Sequence, residues 1–156
     1  MATDLTLEVD LSEANALLAS LGPSEIRAAI SVGLRAIATR VQGVSRASYL
    51  SGPRPTYLDR RSGALARSII IDEADVPNSI AIGSALVYAT VHEFGATIHA
   101  TGPRMVFGLG PNGGAPFRSA REVTIPARPF LAPALAEVEP EMAELMQDAI
   151  AAHLEG

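Results

Sequence analysis

The chain has 156 residues, no cysteine and a net charge of -5, which suits a single domain with a core of its own. Lack of cysteine rules out disulfides, thiolate metal sites and a thiol nucleophile, and the negative total argues against general affinity for nucleic acid. No apolar run reaches the roughly 18–20 residues that span a bilayer, and the opening MATDLTLEVDLSEA lacks the basic and apolar regions of a secretory signal, so a protein made in the cytosol is expected.

Residues 4–10 alternate polar with apolar side chains, the pattern of a half-buried strand. Ser12 is placed to cap a short helix over residues 13–21, which Gly22-Pro23 ends. A longer helix begins at Pro23 or Ser24. Its apolar stripe runs through Ile26, Ala29, Ile30, Ala36 or Ile37, Val41 and Val44, with Arg27, Arg35, Arg40 and Arg46 mostly elsewhere. The stripe is made of small side chains, so close packing against a sheet or a neighbour is expected.

Residues 50–62 carry Pro53, Pro55 and Gly52 among Arg54, Arg60 and Arg61, and read as a long surface loop. Gly63 frees the backbone where the loop enters a helical turn. That turn leads into a strand over residues 68–71, and Val76-Pro77-Asn78 turns the chain into a second strand over residues 78–83. Residues 88–94 form a short helix stopped by Gly95. In it Tyr88, Val91 and Phe94 share a face expected to lie on the sheet, leaving His92 and Glu93 to point away. Short strands are expected at residues 97–100, 105–107 and 121–125, with a glycine-rich loop at 108–116. Pro126 and Pro129 set a rigid corner that sends Phe130 and Leu131 into the core. The final helix runs from Phe130 to Leu154 and is interrupted near Pro140. The fold expected is α+β: one small antiparallel sheet against the long helix and the C-terminal helix, a single domain over residues 1–156 with long loops at about 50–62 and 101–120.

Charge is segregated along this order. Residues 22–67 carry a balance of +6 and residues 100–128 of +3, while residues 68–99 carry -4 and residues 129–156 carry -6. Every Lys-or-Arg position is arginine, as a GC-rich genome produces; basic and acidic faces meeting across a repeated head-to-tail contact would use the same pattern.

Three arrangements suggest enzymes, and each fails on spacing. His92-Glu93 starts the zinc-protease pattern H-E-x-x-H, but Ala96 stands where the second histidine belongs. Gly108-Leu-Gly110-Pro-Asn-Gly113 matches G-x-G-x-x-G in letters only, because no helix follows to hold a pyrophosphate. Ser68 and His92 lack a nucleophile elbow. No catalytic residue, metal or cofactor is assigned.

The remaining motifs are joined by order: Arg61-Ser62-Gly63-x-Leu65-x-x-Ser68-Ile69, then Ile82-Gly83, then Tyr88-Ala89-x-x-His92-Glu93-Phe94-Gly95, then Ile125-Pro126-Ala127-Arg128-Pro129-Phe130-Leu131-x-Pro133-Ala134. Over about residues 46–136 this string resembles the tailed-phage virion morphogenesis proteins, the minor tail or tail-completion family that joins tail to head. The resemblance implies a structural, non-enzymatic virion protein of the neck, assembled in the host cytoplasm. It implies a ring, hexameric or larger, that caps the tail tube and meets the head connector or stopper. Genome DNA would pass through the lumen without being read, and no membrane or cofactor is involved. Arg54, Arg60, Arg61, His92, Glu93, Arg104 and Arg128 are the interface candidates, and the long loops are expected to order on docking. Arg128 has the alternative of an internal pair with a C-terminal acid. Two other classes compete: a metal-dependent hydrolase centred on His92 and Glu93, and a nucleic-acid-binding module using the arginines of residues 27–67.

Overall fold

The computed structural model describes residues 22–52, 58, 62–108 and 117–155. The expected strand at 4–10, the helix at 13–21, Arg54, Arg60, Arg61 and nearly all of the loop at 108–116 lie outside the described residues. Within them, α1 spans Pro23–Val44. The N-cap is Gly22, whose amide donates to the carboxylate of Glu25 in the first turn at 2.9 Å, the backward half of a capping box. Beyond Val44 the helix widens into a π turn, Ser45–Tyr49.

Ala29, Gly33, Leu34, Ile37, Ala38, Val41 and Val44 form the buried face of α1. They meet the C-terminal helices, α4 (Ala132–Val138) and α5 (Met142–Glu155), which a 3-10 turn at Glu139–Glu141 separates. That break falls at Pro140, whose ring removes an amide from the helical ladder. Ala134, Val138, Met142, Met146 and Ile150 supply the facing side chains. Gly33 lets the two helices approach: a Cβ there would run into the Met146 sulfur, which is itself buried. Gly33→Ala is therefore expected to cost about 1–2 kcal/mol, overpacking outweighing the gain in helix propensity, and a lowered urea midpoint would show it.

The fold is α+β, and among the described residues the strands make three two-stranded antiparallel ladders. β1 (Ile69–Asp72) pairs with β2 (Ala81–Ser84), after a helical turn, α2 (Ala64–Ser68), entered through Gly63 at φ 71°. This hairpin lies against α1. Gln42 donates to the Ile69 carbonyl at 2.8 Å, and Arg46 reaches the carbonyls of Ala66 and Ile69 at 2.8 and 2.9 Å. In its turn Asp75 accepts from Asn78 and Ser79, whose hydrogen bonds, that of Asn78 foremost, hold its carboxyl below the usual range.

The helix α3 (Val87–Phe94) follows, and the other ladders form one interrupted hairpin. At its base β3 (Ala96–His99) pairs with β6 (Glu122–Ile125); further out β4 (Met105–Gly108) pairs with β5 (Phe117–Ala120). Between the ladders, residues 101–104 have no counterpart on the returning strand, so the hairpin carries a large bulge. The stretch 101–120, expected as a loop apart from a short strand at 105–107, thus contains a second strand, Phe117–Ala120, paired with the first. Neither outer ladder packs extensively on a helix. The nine residues from Phe117 to Ile125 give this arm a reach of roughly 25 Å by the rise of a strand.

Candidate assembly surface

The short helix α3 has its polarity reversed. Ala89 and Glu93 are buried, whereas Val87 is 87% and Phe94 57% exposed. At 3.6 residues per turn, Val91 and Phe94 lie within about 40° of Val87, and Ala89 and Glu93 lie on the far side of the helix. The expectation that Tyr88 and Phe94 face the sheet is therefore corrected, and so is the expectation that Glu93 points outward; Val91 is half-buried.

The reason is a capping problem. The chain leaves Pro129 and enters α4 with Leu131 at the cap position, where no side chain serves the opening amides. Glu93 supplies the acceptor from another element. Its Oε2 takes the amides of Phe130 at 2.8 Å and Leu131 at 3.1 Å, and its Oε1 takes that of Ala132 at 2.9 Å. A carboxylate in this place also meets the positive end of the helix dipole. Below it, the amide of Arg128 donates to the His92 carbonyl at 2.7 Å. Gly95 closes the corner at φ 73°, where an added Cβ would meet the backbone of Ile125 and Ala127. Phe130 is consequently seated in the core at 1% exposure, as the proline corner led one to expect.

His92 is half-buried, edge-on to Tyr88 with ring centroids 6.1 Å apart. A hydrolase centred on His92 and Glu93 finds no general base in Glu93, because both of its oxygens hold backbone amides. Among the described residues no group of three or more His, Asp or Glu side chains could hold a metal ion. Three arginines of α1 and the π turn are engaged within the subunit: Arg35 pairs with Glu73 at 2.8 Å and Arg40 with Glu141 at 3.0 Å, both on the surface, while Arg46 binds carbonyls. A nucleic-acid face built on residues 27–67 loses three of its guanidinium groups to these contacts.

The arginines nearer the arm differ. Arg104 is exposed, its guanidinium 3.5 Å from the Ser119 carbonyl, and Arg128 is half-buried. Among the described residues neither these two nor Arg118 and Arg121 form an ion pair, so the internal pair considered for Arg128 is not made. On the outer ladder Val106 stands opposite Ser119 and Phe117 opposite Gly108, which puts both apolar residues on one face. They are 71% and 63% exposed. The base ladder has a polar face, where Thr97 meets Thr124 and His99 meets Glu122 at 3.3 Å, and an apolar one that includes the exposed Ile98.

Of the interface candidates, the structure brings His92, Glu93 and Arg128 together at the corner and sets Arg104 apart on the arm. Val87, Phe94, Val106 and Phe117 were not among them; for α3, the uncapped start of α4 carried a signal.

Among the described residues no helix is long and apolar enough to cross a membrane. The apolar side of α3 and the outer ladder of the hairpin are thus both open to solvent in the subunit, and apolar surface of this kind is unusual on a protein that makes no contacts. The chain is a member of the phage virion morphogenesis family, whose model matches residues 47–155, from the π turn to the end of α5. No curated protein and no solved structure matches it.

Proposed function

We propose that this virion morphogenesis protein acts at the head–tail junction, as the ring subunit that caps the tail tube and joins it to the head connector. The observation that carries this reading is the reversed helix α3, which buries a carboxylate for the sake of its own fold and leaves Val87 and Phe94 to be covered from outside. A monomer in water has no use for such a face. Copies arranged head to tail close into a ring when the rotation between them closes; a hexamer is the first expectation. Arg104, Arg128 and the loop arginines Arg54, Arg60 and Arg61 would then meet acids of neighbouring copies, of the tail-tube protein or of the connector. DNA would cross the lumen without sequence-specific contact.

Light scattering of the purified protein is expected to give a mass several times that of the 16.2 kDa chain, and antibody labelling is expected to find it at one end of the tail. A chain that stays monomeric, both alone and mixed with tail tubes, would overturn the proposal.

A further inference from the structure

We infer that the arm of one copy lies along the outer face of α5 in the next, with its Arg104 and Arg121 paired to Glu144 and Asp148. The inference rests on the ring reading and specifies one of its contacts. It starts from charges that the subunit leaves unmatched. Arg104 and Arg121 stand where the two ladders of the arm meet, and among the described residues neither has an acid partner. The one acid of residues 100–128, Glu122, is taken by His99. Residues 129–156 hold six acids and no lysine or arginine. Glu137 accepts from the Tyr49 hydroxyl and Glu141 from Arg40, whereas Glu144 and Asp148 are exposed and unpaired among the described residues.

The two surfaces also match in order. Glu144 and Asp148 fall one turn apart on the side of α5 away from the buried Met142, Met146 and Ile150. Ala151 continues their stripe, with Leu154, 40% exposed, at its flank. Along this helix acids are thus followed by apolar side chains. The arm repeats the order with the opposite charge: arginines at the foot of the outer ladder, then the exposed Val106 and Phe117. Arg121 and Phe117 are about 13 Å apart along the strand, and Glu144 and Leu154 about 15 Å apart along the helix. One approach can therefore satisfy both the charged and the apolar ends. Within the subunit it is not made, since no described ion pair joins the arm to α5 and the apolar side chains stay exposed. DNA would meet the arginines but leave Val106 and Phe117 bare, which favours a second copy as the occupant. Because arm and helix are different surfaces, the contact extends from copy to copy until it closes.

Charge exchange in the whole chain tests the pairing. Arg104→Glu/Arg121→Glu and Glu144→Arg/Asp148→Arg, each with circular dichroism unchanged, should self-associate at least about tenfold more weakly than the parent. Mixed together they should associate again, because the acidic arm of one then fits the basic helix of the other, and the reverse. Arg118→Glu is the control: Arg118 falls on the opposite face of the ladder from Phe117, and its loss should change little. No cysteine is native, so Arg121→Cys and Asp148→Cys chains, mixed and mildly oxidised, should give a disulfide between one chain of each kind. Assembly of both double variants at the parent's strength would overturn the inference and leave the ring reading intact. A mixture that stays apart and gives no mixed disulfide would overturn it too, as would an equal loss from Arg118→Glu. Binding of a short DNA duplex at physiological salt, lost in the arm variant while assembly is untouched, would assign the arginines to nucleic acid instead. Failure of the unmodified chain to self-associate would remove both readings.

Discussion

Replacing Glu93 with alanine is expected to lower the melting temperature by about 10 °C, the loss of about 3–5 kcal/mol from a domain of this size. The side chain is 8% exposed and accepts three amides from the start of α4. Each hydrogen bond to a charged group contributes about 1.5–3 kcal/mol, and truncation leaves the donors stranded in a place where water reaches them poorly. The three do not add in full, because the carboxylate was costly to desolvate in the first place. Glu93→Gln separates charge from shape. Its single carbonyl oxygen keeps the Phe130 and Leu131 amides or the Ala132 amide, and its NH2 group opposes the rest, so about half the loss should remain. Calorimetry of the three proteins decides the matter: an alanine variant melting within a degree or two of the parent would mean that Glu93 is not what ties α3 to the C-terminal helices.

Gly95→Ala is expected to cost about 3–4 kcal/mol, read as a fall in the urea midpoint at unchanged slope. At φ 73° and ψ 166° the residue sits in a region that L side chains scarcely enter. An added Cβ would also lie 2.9 Å from the Ala127 nitrogen and 3.0 Å from the Ile125 oxygen. Those are backbone atoms at the root of the arm and cannot rotate away. Gly43→Ala supplies the contrast: it lies within α1 with nothing within 4 Å of its added carbon, and it should stabilise by up to about 1 kcal/mol through helix propensity alone. Equal effects at the two glycines would show that the corner yields to an added methyl group.

Much of the fold was legible because it rests on local rules. The 3.6-residue stripe from Ile26 to Val44, the turn at Val76-Pro77-Asn78 and the break at Pro140 are each dictated by side chains within a few residues of one another. The face of α3 was not, for the rule that apolar side chains turn inward was applied to eight residues whose orientation is set by amides some forty positions later. The useful clue was negative: α4 starts after Pro129 with no Ser, Thr, Asp or Asn at its cap, so its amides had to find an acceptor elsewhere. The returning strand of the outer ladder escaped notice for another reason. Phe117-Arg-Ser-Ala120 has no strong alternation, and its pairing depends on a register shift across residues 101–104 that no local pattern announces.

The central contact, α1 against α5, joins residues 23–44 to residues 142–155. A nascent chain must therefore carry the part of the α1 stripe that α5 covers exposed while the intervening residues are made, until Met146 and Ile150 have emerged from the ribosome to meet it. Premature termination upstream of those residues would release a polypeptide that cannot close its interior, one destined for chaperones or proteolysis before it could poison the growing particle.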